Sequence, residues 1–92
     1  MDAYTLFVKA NNTFNTWYKF INSDKYNEEA YELFEKSKNK YIMDKKYDDS
    51  VKCYISMIQC LKLLSYKEDY ELLKIYEEIG DLLIKKNILI LL

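Results

Sequence analysis

Histidine, arginine and proline are missing from this 92-residue chain, and Gly80 is its only glycine. Without histidine, a zinc site and a histidine-activated nucleophile are both disfavoured. Arginine is replaced throughout by lysine. Residues 1–46 carry eight lysines against seven acids, and the remainder six against eight. No basic stripe emerges, so nucleic-acid binding is not expected. The scarcity of proline and glycine removes helix breakers and tight-hairpin residues, which points to an all-α fold. There are only two cysteines, Cys53 and Cys60. Their spacing on one helix gives about 10 Å of rise, too far for a mutual disulfide. They read as reduced core residues of a cytosolic protein. Glycine-rich phosphate loops and Gly-x-Ser-x-Gly elbows are absent. The pairs Glu28-Glu29, Asp48-Asp49 and Glu77-Glu78 are helix neighbours that point apart, so they read as solvated faces. No enzyme, metal or other cofactor is expected.

Half of the residues are hydrophobic and about a third are charged, a balance that folds and does not stay disordered. The length suits one domain over 1–92. Four helices are expected. The first covers about 2–12, with Ala3, Leu6, Phe7 and Ala10 on one face at i, i+3, i+4, i+7. The second covers about 27–43, capped by Asp24 or Asn27. It turns Ala30, Tyr31, Phe34, Tyr41 and Ile42 inward, with Ser37 and Lys38 in the middle turn and the Lys38 head extended to water. The third covers about 47–64. It is apolar over much of its circumference (Val51, Cys53, Tyr54, Ile55, Met57, Ile58, Cys60, Leu61, Leu64) and so is packed on more than one side. The fourth covers about 68–86, with Tyr70, Leu73, Tyr76, Ile79, Gly80 and Leu83 inward. Short linkers make neighbours antiparallel. Tyr26, Tyr47 and Tyr70 each open a helix, followed by acids and then an aromatic. This weak period fits half of a tetratricopeptide-type repeat, and a plain helical bundle is the alternative. The apolar tail 87–92 is too short to span a bilayer. Asp2 and Lys9 interrupt residues 1–12, so no signal peptide is expected there.

Between the first two helices, residues 13–25 read as a loop with an aromatic tip. Phe14, Trp17, Tyr18, Phe20 and Ile21 crowd a segment bounded by turn residues. Trp and Tyr favour surfaces that are apolar on one side and wet on the other, and Lys19 and Lys25 flank the cluster. The loop contacts a membrane, a partner, or the chain's own core as a cap.

The stretch with Tyr26, Glu28, Glu29, Ala30, Tyr31, Phe34, Ser37, Asn39 and Tyr41, followed by Lys46 and Tyr47, resembles the opening repeat of the soluble NSF attachment proteins, the SNAP family. Glu78, Ile79, Gly80 and Asp81, running on to Lys85 and Lys86, are similar to a later helix of that family, with the glycine in the same place. The family's membrane-dipping loop corresponds in position to Phe14, Trp17, Tyr18, Phe20 and Ile21. The resemblance spans nearly the whole chain but only the N-terminal part of a family member. The family's Ala-Ala pairs are replaced by Ser37-Lys38 and Met57-Ile58, and its ATPase-engaging C-terminal bundle has no counterpart here. The resemblance implies a right-handed, tetratricopeptide-like array of antiparallel helical hairpins. It also implies a peripheral membrane role at the cytosolic face of ER, Golgi or vesicles. The implied activity is a SNARE-complex adaptor in vesicle transport and membrane fusion, linking SNARE proteins to an NSF-type ATPase. The aromatic loop would touch the bilayer, and Lys45, Lys46, Lys85 and Lys86 would meet the acidic SNARE surface. Two readings compete with it. One is a generic tetratricopeptide-like module that binds a peptide or helix; the other is a bundle that self-associates through 87–92.

Overall fold

The computed structural model of the chain describes residues 1–16, 23–64 and 69–91. The described residues form four α-helices and no strand: α1 (Ala3–Phe14), α2 (Ser23–Met43), α3 (Tyr47–Leu63) and α4 (Asp69–Leu91). At the head of α1, the Asp2 carboxylate accepts the Thr5 N–H at 2.7 Å, a capping bond that satisfies one of the first-turn donors. The same bond pulls the Asp2 carboxyl below its ordinary range. α2 begins one turn earlier than its sequence pattern suggests, so Asn27 is an interior residue and not a cap. α4 continues as helix beyond the expected end at 86, to Leu91.

Three cross-helix contacts fix an antiparallel arrangement. Ser37, late in α2, bonds to Ala3 at the start of α1. Asn27, early in α2, reaches the Leu63 carbonyl at the end of α3. Lys86, late in α4, pairs with Asp48 in the first turn of α3. Each helix packs mainly on its chain neighbour. The molecule measures 50 × 29 × 14 Å along its principal axes. The thin dimension is that of two staggered helix layers, since packed axes lie about 8–10 Å apart.

The core of α1, α2 and α3 sets small side chains among larger ones that include the rings of Phe34, Tyr41 and Tyr54. Ala10, Ala30, Ser37, Ser50, Cys53 and Cys60 are fully buried, which lets the helices approach closely. Phe34 lies among them and meets Phe7 edge-on, with ring centroids 5.6 Å apart. The faces expected for α1 and α3 are largely those that pack, although Ile55 is exposed. Lys38 departs from expectation. It is 8% exposed, and its head bends over the Tyr54 ring at 5.1 Å while donating to Asn39 Oδ1 at 2.8 Å.

The larger departure is the rotation of α4. Ile75 and Leu82 are buried, with Leu72 and Ile79 packed beside them, while Tyr70, Leu73, Tyr76, Leu83 and Ile84 face outward. α4 carries apolar residues over two adjacent stripes, so periodicity alone does not choose between them. The aliphatic stripe has no polar atom to satisfy, whereas burying Tyr70 and Tyr76 would require a partner for each hydroxyl. Gly80 lies on the outward side with no neighbour near the place of a Cβ.

Candidate functional site

A groove of about 560 Å³ runs between α2 and α4, floored by α3. Each part follows from helical spacing. On α2, Glu28, Glu32 and Glu35 recur at i, i+4 and i+7, forming one rail of carboxylates, with Tyr31 turned between them. On α4, Glu71 and Glu78 stand two turns apart on either side of Lys74 and form the facing rail. Met57 and Leu61 of α3 and Leu64 at its C-cap, joined by Ile75 of α4, make the floor. Five carboxylates thus line the groove with a single lysine, over an apolar base.

The electrostatics converge on two phenols. Burial, reinforced by Glu35, Glu71 and Glu78, pushes the Tyr31 hydroxyl up to about 12. Tyr54, buried beneath, is also raised, first by desolvation and then by Glu78, whose carboxylate accepts its hydroxyl proton in a hydrogen bond. Carboxylates from both α2 and α4 therefore act on one tyrosine, which places the two rails within electrostatic reach of each other.

No reaction is evident in this arrangement. Cys53 is buried, and its thiol is raised by desolvation, away from the reactive thiolate. Cys60 is equally buried, and neither cysteine forms a disulfide. Among the described residues no cluster of His, Cys, Asp and Glu is placed to hold a metal ion.

The residues singled out from sequence are distributed elsewhere. Trp17, Tyr18, Phe20 and Ile21 lie outside the described residues. Of the loop expected over 13–25, Thr13 and Phe14 belong to α1, and residues 23–25 belong to α2. Phe14 closes α1, half-buried against the core, because its position continues the apolar face of that helix. Lys45 and Lys46 are exposed in the α2–α3 turn, and Lys85 is exposed on α4. Lys86 is half-buried in its ion pair with Asp48. Lys45 and Lys46 lie between α2 and α3, Lys85 and Lys86 lie inside α4 ahead of its last turn and not at a helix end, and none of the four lines the groove.

Sequence reasoning missed the groove because it weighed acids as adjacent pairs. The legible signal was the wider spacing: Glu28, Glu32 and Glu35 on one helix, and Glu71 and Glu78 around Ile75 on another. Comparison with protein-family models, curated proteins and solved structures finds no match to this chain in any of the three.

Proposed function

We propose that this chain is a non-catalytic helical-repeat interaction module that receives a segment of a partner protein in the α2–α4 groove. The observation that carries the reading is the groove itself, an open channel with an apolar floor and charged rims assembled from three helices. Such a channel suits the side chains of a docked peptide, whose apolar anchors meet the floor while its polar groups meet the rims. Selection of binders from a random peptide display library, followed by amide-shift mapping, tests it. Shifts concentrated at Glu32, Glu35, Leu61 and Glu78 support the groove. Shifts confined to the outer face of α4, or to α1, sink it.

A narrower second reading is a SNARE and membrane adaptor resembling the SNAP family, linking SNARE proteins to an NSF-type ATPase at a cytosolic membrane surface. Exposed Lys45, Lys46 and Lys85 favour it, as cationic groups able to meet an acidic helical bundle. Among the described residues no helix is long and apolar enough to cross a membrane, so contact would be peripheral and through the aromatic segment. Liposome co-flotation of the chain beside a Trp17→Ser, Phe20→Ser variant tests this. Phe14 is left intact because it packs on the core. Loss of flotation in a variant whose circular dichroism is unchanged supports the membrane loop, and failure of the unaltered chain to float removes it.

A further inference from the structure

Granting that the groove is a docking site, we infer that its occupant is a lysine- or arginine-rich amphipathic helix of a partner protein. Three features converge on that chemistry. The first is charge: Glu28, Glu32, Glu35, Glu71 and Glu78 face one lysine, Lys74, across the groove. An acidic segment, a nucleic acid or an anionic lipid surface meets repulsion from both sides.

The second is the floor. Met57, Leu61 and Leu64, the residue that caps α3, lie over seven residue steps, about 10 Å along the helix axis. A docking helix with apolar residues at i, i+3 or i+4, and i+7 offers anchors over the same length. The third is the placement of the acids on two opposite rails and not along the base. An apolar stripe flanked on both sides by cations fits between the rails, with the stripe on the floor and the cationic stems reaching outward to each carboxylate row. Among the described residues, neither α1 nor α4 of a second copy supplies the segment. The outward stripe of α4 is bordered by Glu77 and Asp81 as well as lysine, and α1 offers only Lys9 beside its exposed face.

Fluorescence anisotropy with three synthetic helical peptides, each about 18 residues or five turns, tests the inference on the full chain. One carries lysine and leucine in amphipathic order, one has glutamate in place of lysine, and one has the lysine–leucine composition scrambled. The amphipathic basic peptide is expected to bind about tenfold or more tightly than either control. Its affinity should fall as ionic strength rises from about 0.05 M to about 0.3 M. Glu32→Lys with Glu35→Lys leaves three carboxylates against three lysines along the groove and should abolish the preference. Glu32→Gln with Glu35→Gln, which is gentler on the fold, should weaken the basic peptide without attracting the acidic one. If the acidic peptide binds better, and its binding maps to the groove, the basic occupant is overturned while the docking site stands. If the scrambled peptide or a linear polyamine binds as well as the amphipathic one, the apolar floor is not being read and the inference fails. If none of the three binds while the peptide library yields binders that map to the groove, the basic occupant is overturned and the docking site stands; if the library yields none either, both fall.

Discussion

The Ser37 hydroxyl donates a 2.7 Å hydrogen bond to the Ala3 carbonyl, and the Cys53 thiol donates to Ser37 Oγ at 3.5 Å. Residues from α1, α2 and α3 are thus joined through one fully buried oxygen. Ser37→Ala keeps the close helix approach but removes the bond, and should cost about 1 kcal/mol in urea unfolding. Ser37→Val adds volume where none is free and should cost more, about 1–3 kcal/mol. Equal stability of the two variants would mean that packing at Ser37 is loose.

The turn after α2 places Lys45 at a φ of 60°, the left-handed region. The Lys46 N–H bonds to the Tyr41 carbonyl at 2.8 Å and the Lys45 N–H to Ile42 at 3.0 Å, the bonding pattern of a Schellman cap. Glycine is the residue such a position favours, yet the only glycine of the chain is Gly80, inside α4. Lys45→Gly should therefore stabilise the chain by about 1 kcal/mol through relief of backbone strain. Gly80→Ala should do so by a similar amount, about 1 kcal/mol, since nothing crowds a Cβ there. Thermal melts of both variants decide this, and a lowered Tm for Lys45→Gly would rule out strain at that turn.

Tyr31 titrates near 12 in the folded chain against an ordinary value of 10.0. Above pH 10 the unfolded chain surrenders that proton while the folded chain keeps it, so the unfolded state holds fewer protons and stability falls as pH rises. The contribution is fully present below pH 10 and is lost as pH climbs through 12. Tyr54, raised in the same direction, adds to the effect. Tyr31→Phe should flatten the decline between pH 10 and 12 in denaturation curves. A decline of the same slope would assign it to other groups.

Like charges along the groove oppose folding of the unbound chain. Glu28 and Glu32 lie at i, i+4, a spacing that costs a few tenths of a kcal/mol per like pair. Glu32→Gln should raise the Tm slightly, and added salt should stabilise the unbound chain by screening both rails. A Tm that drops with moderate sodium chloride would contradict the crowding of carboxylates seen here.

Much of the helical framework is legible from residue spacing. Ala3, Leu6, Phe7 and Ala10 mark one face of α1, and Val51 through Leu64 mark α3 as packed on more than one side. The rotation of α4 was not legible from periodicity, because its apolar residues form two adjacent stripes that share the helical period. Burial of Asn27 and Lys38 was hidden for a related reason. Asn27 is fully enclosed, and its Oδ1 meets no partner among the described residues. Polar residue type suggests exposure, and only three-dimensional packing reveals otherwise. The groove was partly legible. Each carboxylate rail is visible as a spacing within one helix, but the facing of the two rails depends on α3 lying beneath both.

α4 is held chiefly by α3, through Ile75, Leu82, the Lys86–Asp48 pair and the bond between Tyr54 and Glu78. One wall of the groove consequently belongs to the least-anchored helix, and its amides should exchange with deuterium by a lower-energy opening than those of α2. The site exists only in molecules whose α4 is seated, so measured affinity is the intrinsic affinity scaled by the seated fraction. Loosening Leu82 would weaken capture of a ligand that Leu82 does not line. Conversely, a bound helix bridging both rails would slow exchange along all of α4, so recognition and local folding in this molecule are a single equilibrium.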